Sequence, residues 1–192
     1  MRAWGANNAA DGLTVVVLEG PARGKGAAVR AGIAASQGEV VFTVDADLPV
    51  TLDHLASFLA LIDSGADVVM AERPMTRNLR SPLRFVLSRG LWAFQRFVVF
   101  GADLFEDTQC GFKAFRGELA RALAREQMTD GGMVDIEYLF LARRAGARID
   151  RVAVEPAPEW RPSKINAWKA MRRDPADLLR LRWRAIRGAY RS

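Results

Sequence analysis

The chain has 192 residues, half of them hydrophobic, which suffices for one domain with a sizeable core. No run reaches the roughly 18 consecutive apolar residues that a membrane-spanning helix needs, and the opening residues lack the apolar run of a secretory signal. Cys110 is the only cysteine, which excludes a disulfide framework and a cysteine-based zinc site. We therefore expect a soluble, cytoplasmic protein.

Positive charge is concentrated at the C-terminal end. Residues 161–192 contain ten Lys or Arg and two Asp, a balance of +8, which leaves −2 for residues 1–160 of a chain with net charge +6. A basic tail suits an anionic partner such as a lipid headgroup, although a solvated surface explains most of these arginines equally well. We expect an α/β domain at 1–160 with a basic helical tail at 161–192 packing on it, and no nucleic-acid partner.

Strands and helices alternate in the first part of the chain. Apolar runs predict strands at 13–18, 40–44 and 67–71, and periodic segments predict helices at 27–36 and 52–64. This alternation is typical of a largely parallel α/β sheet.

The later part follows a different pattern. Residues 82–100 predict a helix that is apolar nearly all round, and a strand at 112–115, helices at 118–126 and 135–145 and a strand at 148–155 follow. Asp174 as N-cap and Pro175 at the first helical position predict the start of a final helix. One face of that helix carries Leu179, Trp183, Ile186 and Tyr190, and the opposite face carries arginines.

Two short segments indicate chemistry. Asp45 and Asp47 follow an apolar strand, and ligands bind at that edge of an open α/β sheet. Two carboxylates on a turn can hold Mg²⁺ or Mn²⁺, although a polar turn that caps the next helix is an equally good interpretation of the motif alone. Lys25 lies in a glycine turn that opens a helix, where amides favour anions; a turn that simply needs flexible residues is the alternative.

Four segments in collinear order resemble family 2 glycosyltransferases of the polyprenyl-phosphate kind. They are Arg23-Gly24-Lys25-Gly26 with Val44-Asp45-Ala46-Asp47, then Asp107-Thr108-Gln109-Cys110-Gly111-Phe112-Lys113, Asp135-Ile136-Glu137, and Trp160-Arg161-Pro162-Ser163-Lys164. The resemblance implies a glycosyltransferase A-type fold, which is a Rossmann-like, mixed and mainly parallel sheet flanked by helices.

The resemblance also implies a reaction and its residues. A sugar would move from a nucleoside-diphosphate sugar, with UDP-glucose favoured, to a polyprenyl or dolichyl phosphate by inverting displacement. Asp107 and Asp47 are the expected catalytic residues, and Asp45 and Asp47 the expected Mg²⁺ or Mn²⁺ ligands. The remaining assignments are Lys25, Asp45, Ser163 and Lys164 for the donor, Arg73, Arg84 and Ser88 for the acceptor phosphate, and Gln109, Gly111, Lys113, Asp135 and Glu137 for the sugar.

The acceptor's chemistry limits the role of a base. A phosphate whose second pKa lies near 6 is largely dianionic at neutral pH, so Asp107 is expected to orient the acceptor or bind the sugar. A hydroxyl acceptor would require a base, for which Asp107, Asp135 and Glu137 are the candidates.

The acceptor's lipid implies a membrane surface. Phe85, Leu91, Trp92, Phe94, Phe97 and Phe100 are expected in the interface of the cytoplasmic membrane face, with burial in the core or in a homo-oligomer contact as alternatives.

The chain also departs from the family. Its first twelve residues cannot hold the family's opening strand with a Tyr-Asn-Glu-like motif and the following Asp-Asp-Gly-like strand end. We therefore expect that residues 1–192 alone do not transfer sugar. The alternatives from other classes are a non-catalytic membrane-surface or binding module and a nucleotidyltransferase, which would release pyrophosphate.

Overall fold

The computed structural model describes residues 14–18, 24–48, 50–74, 90, 93–95, 99–100, 105, 107–155 and 167–190, with side chains of the last segment from residue 176. The helices are α1 (Lys25–Ala35), α2 (Leu55–Asp63, after a 3-10 turn at Leu52–His54), α3 (Gly117–Glu126), α4 (Val134–Arg144) and α5 (Ala167–Ile186). The strands are β1 (Val40–Thr43), β2 (Val68–Glu72), β3 (Lys113–Arg116) and β4 (Ile149–Ala153).

The four described strands form one mixed sheet in the order β1-β3-β2-β4. Ala114 of β3 lies opposite both Phe42 and Val69, in antiparallel pairings. β2 and β4 pair in parallel, with Met70 opposite Arg151. The predicted mixed α/β sheet with flanking helices is confirmed. Three strands share one direction, but β3 lies between two of them, so that only the β2–β4 pairing of the described sheet is parallel.

The sheet is covered on both faces because its strands alternate their side chains. Val68 and Met70 belong to one apolar cluster, together with residues of α1, α3, α4 and α5. Val69 and Ala71 point to the opposite cluster, which contains Phe58 of α2. The second cluster includes an aromatic contact between Phe58 and Phe112, whose ring centroids lie 4.9 Å apart at an interplanar angle of 90°.

One edge of the sheet gathers the ends that carry the polar motifs. Lys113, the first residue of β3, lies opposite Thr43 at the end of β1 and opposite Met70 near the end of β2. Because β3 is antiparallel to both neighbours, its start and their carboxyl ends share this edge. The segments after β1, after β2 and before β3 therefore meet there, although they are far apart in the chain.

The predicted strand at 13–18 is wrong for its described part. Residues 14–18 have no strand conformation, and none of the four described strands pairs with them. Val16 is 69% exposed and Leu18 46% exposed. An apolar β-branched run favours a strand only where a neighbouring backbone accepts its hydrogen bonds, and no described neighbour does so here.

The final helix begins earlier than predicted. It starts at Ala167, so Asp174 is not its N-cap and Pro175 is not its first residue. Residues 167–173 are mostly good helix formers, which favours extension through the proline. Leu178, Leu181 and Tyr190 are buried in the first cluster. The boundary at residue 160 stays a prediction.

Residues 82–100 lie largely outside the described residues. Phe100 is 6% exposed in the first cluster, and Phe94 packs against that cluster. The expected membrane contact is therefore wrong for Phe100, which is buried in the core. Phe94 is only partly buried, so its membrane contact stays a prediction, and Phe85, Leu91, Trp92 and Phe97 are outside the described part. No helix among the described residues is both long and apolar enough to span a bilayer.

Candidate active site

Asp45 and Asp47 lie in a tight turn directly beyond β1. The N–H of Leu48 donates to the carbonyl oxygen of Asp45 over 2.9 Å and closes the turn. Leu48 has a φ of 47°, a left-handed conformation that leucine rarely adopts. Asp47 is exposed, whereas the Asp45 side chain keeps 32% of its area exposed. A locally strained backbone thus presents both carboxylates at the shared sheet edge.

Four side chains of alternating charge run inward from this turn. The Lys25 ammonium lies 2.8 Å from Asp45 Oδ1 and 2.7 Å from Asp135 Oδ2. The second oxygen of Asp135, Oδ1, accepts a hydrogen bond from Lys113 Nζ at 3.0 Å. We call Lys113, Asp135, Lys25 and Asp45 the four-charge chain. Its inner pair is buried, with 1% of Lys113 and 8% of Asp135 exposed, so each compensates the charge of the other.

The four-charge chain keeps Lys25 protonated. Burial by itself lowers the pKa of Lys25, but Asp135 and then Asp45 raise it by charge and by hydrogen bonding, and the result is a raised pKa. Lys25 therefore carries a full positive charge at neutral pH beside the carboxylate that was predicted to bind metal.

Lys25 is positioned by close packing of the start of α1 against residues 129–131. A Cβ on Gly24 would lie 2.3 Å from the carbonyl oxygen of Asp130, and a Cβ on Gly26 would lie 2.2 Å from that of Thr129. The Gly26 N–H donates to the Asp130 carbonyl at 3.0 Å. These glycines thus permit backbone packing, and the Gly26 amide is already engaged rather than free for a phosphate.

Glu137 fixes the same segment from inside the core. Its fully buried carboxylate accepts hydrogen bonds from the N–H groups of Met128 (3.0 Å) and Thr129 (2.8 Å) and from the hydroxyl of Tyr190 (2.7 Å). Burial raises the pKa of Tyr190, and the charge of Glu137 raises it further. These contacts weigh against the predicted sugar contact of Glu137, which stays a prediction. No sequence pattern indicates the part that Tyr190 plays.

Gly111 lies against the carboxylate of Asp45. A Cβ at residue 111 would come within 2.2 Å of Asp45 Oδ2, so any larger residue would displace that side chain. The Gly111 carbonyl accepts a hydrogen bond from the Thr43 hydroxyl at 3.2 Å, which joins the segment before β3 to the end of β1. Gln109 is exposed two residues away, and its side-chain amide donates to Met133 Sδ at 3.7 Å.

Arg73 and Asp107 form a separate ion pair at the same edge. Arg73 Nε donates to Asp107 Oδ2 at 2.6 Å, and Arg73 Nη2 donates to Oδ1 at 3.3 Å. Burial by itself lowers the pKa of Arg73, but the hydrogen bonds and charge of Asp107 raise it overall. The predicted acceptor cation and the predicted catalytic carboxylate are therefore partners of each other.

The described residues fit a divalent cation of the Mg²⁺ class. Asp45 is about one-third exposed and Asp47 is exposed in the same turn, although Asp45 Oδ1 is already in contact with the Lys25 ammonium. No group of three or more candidate metal-binding side chains occurs among the described residues. Mg²⁺ binds through one or two carboxylates together with water and phosphate oxygens, which this pair suits. Arg84, Ser88, Ser163 and Lys164 are outside the described residues.

A family model with the description Glycosyl transferase family 2 matches residues 6–121, more than half of the chain. A dolichyl-phosphate β-glucosyltransferase of Trichomonas vaginalis is 34% identical over 138 residues, which cover 69% of this chain and 42% of the relative. The Dictyostelium discoideum protein of that name is 31% identical over 179 residues, 88% of this chain and 54% of the relative. A dolichyl-phosphate hexose transferase of Haloferax volcanii is 33% identical over 141 residues, which cover 72% of this chain and 59% of the relative.

Solved structures show the same fold. Glucosyl-3-phosphoglycerate synthase from Mycobacterium tuberculosis, in complex with Mn²⁺, UDP-glucose and glycerol 3-phosphate, superimposes with a TM-score of 0.58. The two sequences are 22% identical, and the match covers 88% of this chain and 56% of the synthase. The chain thus spans about half the length of the relatives that it matches. On the family model and these relatives, this chain belongs to glycosyl transferase family 2.

Proposed function

We propose that the protein to which this chain belongs transfers a hexose from a nucleoside-diphosphate sugar, UDP-glucose in particular, to a polyprenyl or dolichyl phosphate. The observation that carries the proposal is the convergence of Asp45, Lys25 and the Arg73–Asp107 pair at one sheet edge. The names of the relatives from Trichomonas and Dictyostelium support glucose and dolichyl phosphate.

The donor side rests on the turn after β1. Asp45 and Asp47 would hold Mg²⁺ or Mn²⁺, and such an ion neutralises the negative charge that develops on a leaving diphosphate. Lys25 would supply a second positive charge to the same diphosphate, and Ser163 and Lys164 are proposed to close over it. All of these groups act electrostatically, which is how enzymes commonly stabilise a leaving anion.

The acceptor side rests on Arg73, with Arg84 and Ser88 as further proposed ligands of the acceptor phosphate. Asp107 engages Arg73 through both carboxylate oxygens, so Asp107 suits an orienting role, holding Arg73 or the incoming groups in place. The nucleophile is a phosphate oxygen that is already ionised, and the displacement inverts the anomeric carbon without a strong base. For a hydroxyl acceptor, Asp107 remains the better-placed base, because Asp135 and Glu137 are buried.

The sugar is proposed to lie near Gln109 and Gly111. Gln109 is exposed two residues before Gly111, and the Gly111 backbone lies against Asp45. Lys113 and Asp135, the other proposed sugar ligands, are nearly inaccessible. We expect them to act on the sugar through Lys25 rather than by direct contact.

A peripheral position on the cytoplasmic membrane face is supported by α5. Leu179 and Trp183 are each 54% exposed and Ile186 is 71% exposed, which gives an apolar strip on a helix rich in arginine. Such a helix suits the interface of an anionic bilayer. Sedimentation with vesicles containing phosphatidylserine tests this, with Trp183→Ala expected to weaken binding; concentration-dependent dimerisation without vesicle binding would instead indicate a homo-oligomer contact.

A transfer assay tests the proposed activity. Residues 1–192 are assayed alone and fused behind the opening part of the Dictyostelium relative, with UDP-[¹⁴C]glucose, Mn²⁺ and dolichyl phosphate. We expect labelled lipid from the fusion only, and its loss when Asp47→Ala is introduced. Transfer by residues 1–192 alone would contradict the expectation that they do not suffice. A folded fusion that yields no labelled lipid, or that releases pyrophosphate, would contradict the proposed function.

A further inference from the structure

Asp45, one of the two carboxylates proposed to bind a metal, already has a cationic partner supplied by the protein. The Lys25 ammonium lies 2.8 Å from Asp45 Oδ1, within hydrogen-bonding distance. Both side chains are about one-third exposed, so a ligand from solvent can reach the pair. A divalent cation on the same oxygen would therefore meet Lys25 at close range.

Lys25 cannot simply leave, because Asp135 holds it from the inner side at 2.7 Å. Asp135 is itself held by the buried Lys113, and its two oxygens are divided between the two ammonium groups. The four-charge chain sums to zero. A divalent cation added at Asp45 would create an excess of positive charge beside the buried pair, and like charges a few ångströms apart repel.

We propose that Lys25 is the internal counter-cation of Asp45 and that a divalent metal and Lys25 compete for this carboxylate. While still tethered to Asp135, the displaced ammonium turns toward an anion that arrives with the metal. Metal alone then binds weakly, and metal together with a nucleoside diphosphate binds well, because the diphosphate compensates both cations. This inference rests on the proposed function for the identity of the anion, but the competition for Asp45 does not.

Competition between a divalent metal and Lys25 for Asp45 predicts that one variant, Lys25→Met, changes two measurements of Mn²⁺ binding in opposite directions. With Mn²⁺ alone, followed by the EPR signal of the free ion, Lys25→Met is expected to bind about five- to tenfold more tightly than the wild-type chain. With UDP present, the wild-type chain is expected to gain Mn²⁺ affinity, and Lys25→Met to gain several-fold less. Arg125→Met removes an exposed cation from α3 and is expected to stay within about twofold of wild type.

Two further variants test whether the effect arises from the contact between Lys25 and Asp45. Lys25→Gln retains a hydrogen-bonding group without charge and is expected to follow Lys25→Met, with circular dichroism and urea unfolding as checks of the fold. The rise in Mn²⁺ affinity is expected to disappear in the double variant Lys25→Met with Asp45→Asn. A purely structural role for Lys25 would weaken both measurements, and a role confined to the diphosphate would leave Mn²⁺ alone unchanged.

The outcomes distinguish a failure of the inference from a failure of the proposed function. Unchanged or weaker Mn²⁺ binding by Lys25→Met would overturn the inference, whatever UDP does. Tighter Mn²⁺ binding by Lys25→Met with no UDP effect in the wild-type chain would keep the competition and contradict the proposed donor. Absence of Mn²⁺ binding in both chains would overturn the inference together with the proposed metal dependence.

Discussion

Two sets of opposite charges lie at the same sheet edge and are built differently. The four-charge chain reaches from an accessible carboxylate to a lysine with 1% of its side chain exposed. The pair of Arg73 and Asp107 has 28% and 15% of its side chains exposed, so it is more open than the inner pair of the four-charge chain, Lys113 and Asp135. Desolvated charges depend on their partners, whereas charges near solvent can exchange a partner for water or ligand at small cost.

This difference separates a scaffold from an exchangeable contact. Lys113 cannot lose Asp135 without leaving a buried charge uncompensated. We expect Arg73 to exchange Asp107 for the proposed acceptor phosphate, since an incoming anion can replace the hydrogen bonds of Asp107. The buried pair of Lys113 and Asp135 is therefore expected to stay in place on binding, whereas the contacts of Lys25 with Asp45 and of Arg73 with Asp107 are expected to be exchanged for ligands.

The largest expected effect comes from breaking the buried pair of Lys113 and Asp135. Asp135→Ala leaves Lys113 buried without its carboxylate and is expected to lower the free energy of unfolding by about 3–5 kcal/mol. Asp107→Ala, the matched change in the open pair, is expected to cost only about 1 kcal/mol. Urea unfolding followed by circular dichroism measures both. Equal losses in the two variants would remove the distinction between scaffold and exchangeable contact.

The next effect concerns the support beneath the four-charge chain. Glu137→Gln keeps the shape but replaces one acceptor oxygen with an NH₂ group that faces backbone N–H donors, and is expected to cost about 2–3 kcal/mol. Because residues 128–130 pack on the start of α1, the variant is also expected to raise hydrogen-exchange rates at Gly26. Unfolding at wild-type urea concentrations, with unchanged exchange at Gly26, would show that Glu137 does not support this segment.

Two tyrosines provide a smaller test with an internal control. The Tyr190 hydroxyl donates to the carboxylate of Glu137, and the Tyr138 hydroxyl donates to the neutral side chain of Gln127 at 2.9 Å. Tyr190→Phe is therefore expected to cost about 2 kcal/mol and Tyr138→Phe about 1 kcal/mol at pH 7. The reverse order would contradict the role assigned to Glu137.

The same tyrosines predict alkaline instability. Burial raises the pKa of both above the value of about 10 for an unfolded tyrosine. Above pH 10 the unfolded chain has lost protons that the folded chain retains, so stability is fully present below pH 10 and falls as the pH rises further. Urea midpoints from pH 8 to pH 11 are expected to fall less steeply in Tyr190→Phe than in the wild-type chain, and an equal slope would contradict the linkage.

Gly111→Ala is expected to have the smallest effect on stability but a large effect on metal binding. Gly111→Ala places a methyl group within 2.2 Å of the end of the Asp45 side chain, which can rotate away, so a loss below about 1 kcal/mol is expected. Rotation of the Asp45 side chain would move its carboxylate away from Lys25 and from its present position beyond β1. Mn²⁺ affinity in the presence of UDP is therefore expected to fall about tenfold. Gly32→Ala, with nothing within 4 Å of the added Cβ, is the control.

The position of the site could be predicted from sequence, but its internal connections could not. Asp45 follows an apolar strand, and the sheet edge there is where ligands bind, so its location needed only local pattern. The pairing of Asp135 with Lys113 and Lys25 depends on how α4, β3 and α1 meet in space. The contact of Tyr190 with Glu137 joins residues 53 positions apart, and no spacing rule reports such a contact.

The failed element predictions have a similar origin. Residues 13–18 have the composition of a strand, but strand formation depends on a neighbour that composition does not identify. Asp174 and Pro175 form a good helix start, yet the residues before them also favour helix, and the longer helix prevails. Local signals predicted the segments well where packing agreed with them, as at α4, which ends at Arg144, two residues before Gly146 with its φ of 74°.

Mn²⁺ binding in the presence of UDP distinguishes the four-charge chain from the pair of Arg73 and Asp107. Asp45→Asn is expected to abolish this binding, because it removes the outer carboxylate of the four-charge chain, while Asp107→Asn is expected to leave it within about twofold of wild type. Retained binding in Asp45→Asn, or an equal loss in both variants, would contradict the assignment of the turn after β1 as the donor and metal site.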